Sequence, residues 1–245
     1  MKKIFFILSL SSILVFASEL DMNETQNTAQ LAEFKANYKV DENKFDPLYW
    51  YNKPMTYFNH YAYSYVLIPI AKGYDYVMPD PIQGAISNFF DNLLYPVRLI
   101  NNLLQGKFEN SLNETKRFLI NTTIGFAGFS DAASMHFDLP KKNVEDLGQT
   151  FGYWGIGEGF PIVLPLIGQS NLRDLVGSVG DYFADPITYV DRDDEWTSAY
   201  IKAYRELNKL SQSYTDYEIL TKDQDNLYEF LRDLYSIKRK KMIAE

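Results

Sequence analysis

Between Asn52 and Tyr76 aromatic and aliphatic residues fall on nearly every side of what their spacing predicts to be a helix. They include Tyr57, Phe58, Tyr61, Tyr63, Tyr65, Val66, Leu67, Ile68 and Ile70. A helix with no plain polar face is either buried in protein or lies in lipid. Pro69 removes a backbone donor and should kink or end it. Beyond the N-terminus no apolar run reaches the length of an ordinary membrane span, about 18 residues, so the apolar surface has to be placed without one.

The remaining pattern is helical, with proline and glycine as punctuation. Pro81 takes a permitted first-turn position ahead of Ile82, Ala85, Ile86, Phe89 and Phe90. Pro96 opens the next helix, and Gly106 supplies the left-handed residue that closes it. Leu112, Thr115, Phe118 and Leu119 mark another. A helix begins near Trp196, where Asp191, Asp193, Asp194 and Glu195 suit the exposed amides and the dipole. Leu227, Phe230, Leu231, Leu234 and Ile237 form an apolar stripe ending in Lys238, Arg239, Lys240 and Lys241, either a solvated helix end or a patch for anionic headgroups. The expectation is an all-α chain.

The segment from Phe151 to Gly168 departs from this pattern. Glycines at 152, 155, 157, 159 and 168 alternate with large apolar residues and two prolines, which no regular helix tolerates. Phe160, Ile162, Val163, Leu164, Leu166 and Ile167 are too few to span a bilayer and too apolar for an exposed loop. A hairpin lodged against protein or dipping into one leaflet fits them. The run from Gly155 to Gly159 superficially suggests a phosphate-cradling loop, but no strand precedes it and no helix start follows.

At the N-terminus, Lys2 and Lys3 precede an apolar run from Ile4 to Phe16, and Val15-Phe16-Ala17 has the small residues of a cleavage site. Residues 1–17 therefore read as a signal peptide, with an N-terminal anchor as the alternative. Residues 18–44 read as a polar tether and 45–245 as the folded domain. Asn23, within Asp21-Met22-Asn23-Glu24-Thr25, matches a glycosylation acceptor pattern. A net charge of -8, becoming -10 without the two lysines, argues against nucleic acid as a partner.

Catalytic motifs are sparse. The chain has no cysteine, which excludes thiolate nucleophiles, thiolate metal sites and thioether lipids within it. Only His60 and His136 remain for imidazole chemistry, and packing or hydrogen bonding is the expectation for both rather than metal ligation. No cofactor is expected. Asp138, Glu145, Asp146 and Glu158 recur around the glycine-rich segment, so a carboxylate hydrolase stays open, with helix caps or ion pairs as the commoner fate of such groups.

Several blocks, in order, carry a resemblance: Asp46-Pro47, the aromatic helix with Asn52, Phe58 and Asn59, Ser87-Asn88-Phe89, Asn101-Asn102-Leu103-Leu104-Gln105-Gly106, Arg117 to Gly125 with Asn121, Glu145 to Thr150, Gly152 to Gly159, and Leu172-Arg173-Asp174. From about Asp46 to Tyr235 the chain resembles the VacJ/MlaA family of outer-membrane lipoproteins. That resemblance implies a single ring-like helical domain with a proline- and glycine-rich apolar hairpin, monotopic in the outer membrane on its periplasmic side. It implies no enzyme. The implied role is removal of mislocalised phospholipids from the outer leaflet through an amphipathic channel, beside an outer-membrane porin trimer, for a periplasmic lipid carrier protein. On this basis Tyr57, Phe58, Asn59, Tyr61, Gly152, Gly155, Gly157 and Gly159 are expected at the channel wall or gate, and the hairpin is expected to face the membrane. Asp46, Asn88, Asn101, Arg117, Asn121, Glu145, Asp146, Arg173 and Asp174 are expected to be structural. The family's usual lipidated cysteine has no counterpart in this sequence, so the chain is expected to be held at the membrane by its helices, by a porin partner, or not permanently, and a soluble periplasmic lipid-binding module is the alternative function.

Overall fold

Prolines and glycines divide the chain into helices, and the computed structural model describes residues 44–190 and 196–245. The expected signal peptide, the tether up to residue 43 with Asn23, and the acidic run from Asp191 to Glu195 lie outside the described residues. Helix α1 (Tyr49–Ala62) continues through a π turn (Tyr63–Leu67) into α2 (Ile68–Val77). Helices α3 (Asp80–Leu93) and α4 (Tyr95–Leu104) carry Pro81 and Pro96 in their first turns. Gly106, at φ 72°, ends α4 and leads to α5 (Phe108–Thr123). The short α6 (Ala132–Phe137) and α7 (Leu147–Tyr153) are capped by Asp131 and Asp146, whose carboxylates accept the amides of Ser134 and Gln149. A two-stranded antiparallel hairpin follows, β1 (Pro161–Leu164) and β2 (Gly168–Asn171), with Val163 opposite Gln169. Helix α8 (Leu172–Ala184), a 3-10 turn (Pro186–Tyr189), α9 (Thr197–Thr221) and α10 (Leu227–Ala244) complete the order. Among the described residues the fold is all-helical apart from this hairpin.

Pro69 does not end its helix. The π turn inserts an extra residue just before it, with the Ile68 amide donating to the Tyr63 carbonyl, so the missing proline donor falls where the regular ladder is already interrupted. The aromatic helix also has a polar face, contrary to the sequence expectation. Asn52, Thr56 and Asn59 stand at helical spacing and are almost fully buried.

That face holds the hairpin. Asn52 donates from Nδ2 to the Pro161 carbonyl (2.9 Å) and accepts at Oδ1 from the Val163 amide (2.9 Å). One turn pair further on, Asn59 donates to the Leu164 carbonyl (2.8 Å) and accepts from the Leu166 amide (2.7 Å). Gln169 donates to Thr56 Oγ1 (2.9 Å), and the Tyr63 hydroxyl donates to the Leu166 carbonyl (3.2 Å). Two side-chain amides thus stand in for a third strand along the open edge of β1. Asn52→Leu removes both bonds and strands a buried donor and acceptor, so we expect a loss of about 2–4 kcal/mol, read by chemical unfolding. Unchanged stability would sink this account of the edge.

The hairpin expected to face the membrane turns part of its apolar side inward. Val163 and Ile167 are 0% and 4% exposed, packed inside the protein, because strand alternation turns one side of so short a hairpin toward the helices. Phe160, Ile162, Leu164 and Leu166 are half-buried.

Apolar packing is concentrated in two places. Tyr63, Ile68 and Ala71 meet Leu210 and Tyr217 of α9, while Leu220 meets Leu227, Phe230, Leu231 and Leu234 of α10. Elsewhere the usual distribution is reversed. Helix α5 buries Ser111, Glu114, Arg117 and Asn121 but exposes Phe108, Leu112 and Leu119. Helix α4 buries Arg98, Asn101 and Asn102 and exposes Ile100, Leu103 and Leu104. Helix α8 buries Arg173 and Asp174 while Leu172, Val176, Val179 and Phe183 form an exposed stripe. An apolar surface this extensive marks contact with another apolar phase or partner. No helix among the described residues is long and apolar enough to cross a membrane.

Candidate functional site

Buried polar residues of α4, α8, α9 and α10 surround a cavity of about 270 Å³. Its walls come from Asp91, Leu94, Val97 and Arg98 near α3 and α4, from residues 144–146, from Leu164, Ile167 and Ser170 of the hairpin, and from α8, α9 and α10. Six cationic side chains (Arg98, Lys202, Arg205, Lys209, Lys238, Arg239) and six acids (Asp91, Glu145, Asp146, Asp174, Asp181, Asp185) line it, with Leu94, Val97, Val144, Leu164, Ile167 and Met242 between them. The cavity is amphipathic.

One end is built by an unusually close helix crossing. A Cβ on Gly177 of α8 would lie 2.4 Å from the Gly148 amide nitrogen of α7, so both positions accommodate little beyond hydrogen. The approach lets Arg239 of α10 reach acids on both helices. It donates to Asp146 from Nη1 (2.6 Å) and Nη2 (2.8 Å), and from Nη2 to Asp174 (3.1 Å). Asp174 also accepts from the Tyr235 hydroxyl (2.8 Å) and from Arg173 Nε (2.9 Å).

Burial would raise the Asp146 carboxyl, but the Arg239 guanidinium and the Gln149 donors outweigh it and hold the group down at about 2. Asp181 goes the other way. Burial and then the Asp146 charge push it up to about 7, against donors from the Leu147 amide and Asn101. Glu145 accepts from Gln105 (2.8 Å) and Lys107 (2.7 Å), and Arg98 pairs with buried Glu114 (2.6 Å). Such pairs fix geometry more than they add stability.

The residues expected at a channel wall lie elsewhere in this structure. Phe58 and Tyr61 are exposed on α1, Asn59 binds the hairpin, and Tyr57 packs against the α9–α10 cluster. Gly155 and Gly157 have open space around them, Gly159 lies against Leu172, and Gly152 against Ile243. None of the eight lines the cavity. The polar residues expected to be structural are spread through the fold. Asp46 accepts from Asn52 and from the Tyr228 hydroxyl. Asn101 links Asp181 to Thr150. Arg117 and Asn121 both bind Asp131 and organise the segment around α6. Asn88 borders a smaller polar pocket beside them.

Of the two solvated-end or headgroup readings for the C-terminal basic cluster, neither describes all of it. Lys238 and Arg239 turn into the cavity, while Lys240 and Lys241 are exposed. His60 faces the Tyr217 hydroxyl at 3.1 Å, and burial lowers its pKa. Glu158 is engaged by Ser236 (2.7 Å) and Lys44 (3.2 Å). Among the described residues no group of His, Cys, Asp and Glu side chains could hold a metal ion. Sequence reasoning missed Asp181, Asp185, Lys202, Arg205 and Lys209. The one available signal was the recurrence of Lys202, Arg205 and Lys209 on one side of the α9 spacing.

Fold and cavity together define a class: an all-helical shell, apolar over much of its outside and charged within, around an amphipathic cavity. A family model described as MlaA lipoprotein matches residues 44–242, and the chain belongs to that family. It is 37% identical over 137 residues to the intermembrane phospholipid transport system lipoprotein MlaA of Haemophilus influenzae, covering 56% of this chain and 55% of that protein. The protein of the same name from Escherichia coli is 32% identical over 151 residues, covering 61% and 59%. These matches thus span between half and two thirds of the relatives' length. A solved structure described as "Structural basis for maintenance of bacterial outer membrane lipid asymmetry" superposes with a TM-score of 0.72 at 28% identity, over 82% of this chain and 100% of that one.

Proposed function

We propose that the protein sits in one leaflet of the outer membrane, from the periplasmic side, and passes misplaced phospholipids inward through its amphipathic interior. The observation that carries this reading is the reversed polarity of α4 and α8, whose apolar faces point outward and whose charged residues line the cavity, with α5 joined to it through the Glu114–Arg98 pair. A body of that kind gains about 25 cal/mol for each Å² of apolar surface it places in lipid. It also offers a headgroup a polar path through an apolar medium. Moving two acyl chains through water would cost about 0.8 kcal/mol per methylene, so a shielded route lowers the barrier greatly. In this reading Phe58 and Tyr61 lie against acyl chains or a porin trimer, the glycines from 152 to 159 let the neighbouring loop yield, and a periplasmic carrier protein accepts the lipid. The chain acts by binding and guiding rather than by bond chemistry, and apolar burial or the porin helps hold it at the membrane.

Deletion should raise phospholipid exposed on the cell surface, and the protein should fractionate with the outer membrane. A protein recovered entirely in the periplasm with about one bound lipid per chain would favour the soluble lipid-binding module instead. Unchanged surface phospholipid in the deletion strain would refute the transport role.

A further inference from the structure

Three cations stand on successive turns of α9 facing the cavity, Lys202, Arg205 and Lys209, in a chain whose net charge is -8. Among the described residues Asp185 and Glu206 lie at ion-pair distance from them, and the Asp91 carboxylate also feels the Lys209 charge. Asp185 Oδ2 receives both Lys202 (3.2 Å) and Arg205 Nη1 (3.6 Å), and Glu206 Oε1 receives both Arg205 Nε (2.9 Å) and Lys209 (3.8 Å). The contacts at 3.6 and 3.8 Å are ion pairs too long for good hydrogen bonds. Arg205 Nη1 is buried with no hydrogen-bond partner, and a guanidinium normally fills such a donor with an oxyanion. Lys202 is further positioned by Thr188 Oγ1 (2.7 Å) and the face of Tyr182 (4.5 Å).

The size of the space adds a second constraint. At about 270 Å³ the cavity falls just short of the ~300 Å³ at which pockets for drug-sized ligands begin. It accommodates a phosphate ester with its glycerol but not two whole acyl chains. Leu164, Ile167 and Met242 in the same wall give the adjoining chain segments an apolar surface.

We propose that the α9 face formed by Arg205 and Lys209, with Lys202 beside them, is a phosphate subsite that binds the headgroup phosphodiester of a passing phospholipid. The assignment rests on the lipid-passage reading and adds to it which part of the lipid is recognised and by which side chains. Arg205 supplies the directed donor and Lys209 the less constrained charge. Because the phosphodiester is common to all glycerophospholipids, the subsite selects for phosphate and against neutral lipid rather than among headgroups.

The test uses the full chain in mixed micelles holding phosphatidylglycerol, phosphatidylethanolamine and diacylglycerol with identical acyl chains, with retained lipid quantified by mass spectrometry after gel filtration. We expect both phospholipids to be retained about tenfold over diacylglycerol, and Arg205→Gln with Lys209→Gln to bring that ratio near one while Arg205→Lys keeps part of it. Equal retention of all three lipids by the wild-type protein would overturn the subsite and leave lipid passage standing. Retention of none would overturn both. A parallel melting series with inorganic phosphate separates the sources: stabilisation by millimolar phosphate without preferential phospholipid retention would make this a free-anion site and overturn the lipid assignment. The wild-type ratio decides the question even if the double variant does not fold.

Discussion

Arg239→Met should destabilise the folded protein by about 3–5 kcal/mol and reverse part of its acid response. The substitution removes a 7%-exposed guanidinium from two carboxylates, Asp146 and Asp174, and leaves their charges without their main partner inside the protein. In the wild-type chain Asp146 titrates at about 2 when folded, below its ordinary range near 3.9. Its contribution to stability is therefore complete above pH ~4 and is lost as pH falls toward 2. Without Arg239 burial dominates and the Asp146 pKa rises, so acidification toward pH ~4 should stabilise the variant through this group, while the parent loses its Asp146 share below pH ~4. In the parent Asp181, raised to about 7, contributes in the opposite sense from Asp146: its share is present below pH ~4 and is lost as pH rises through 7. Urea unfolding in detergent between pH 3 and 8 reads both effects. Parallel pH profiles for parent and variant would show that Arg239 is not what holds Asp146 ionised.

The second large effect belongs to Gly177. Its Cβ position lies 2.4 Å from the Gly148 nitrogen and 2.7 Å from the Gly148 Cα, and backbone has no rotamer by which to escape. Gly177→Val should force α7 and α8 apart and cost ~3 kcal/mol or more, since strain of this kind adds to the loss of the charge cluster beyond it. Gly177→Ala should fall between the two, and Gly73→Ala, with nothing within 4 Å, should be nearly neutral or stabilising by helix propensity. Equal melting temperatures for Gly177→Val and Gly73→Ala would mean that the crossing is not tight in solution.

Helix boundaries were readable in the sequence wherever a local rule sets them. Pro81 and Pro96 open helices, Gly106 closes one, and the stripe beginning at Leu227 marks α10. The direction in which each helix turns its faces was not readable, because amphipathicity gives two faces without saying which is inward. Leu112 and Leu119 have ordinary helical spacing, yet Glu114 and Arg117 took the interior. The hairpin shows the same limit. Its apolar content predicted the segment but could not reveal that Asn52 and Asn59, over a hundred positions earlier, would bind its edge. The cavity was hardest, since Asp146, Asp181, Lys202 and Arg239 are joined only by tertiary packing.

The π turn between α1 and α2 has a consequence for how this helix can change over evolutionary time. One surplus residue turns everything after it by about 100° relative to everything before. The asparagines that grip the hairpin and the Ile68–Ala71 surface that meets α9 therefore sit on one rod in different rotational frames. Length changes of a single residue are ordinarily ruinous inside a helix, but Tyr63–Leu67 already stores one. A relative lacking that residue would need its second half re-faced throughout, so gaps in an alignment at this point would report a change of packing partner rather than a harmless slip.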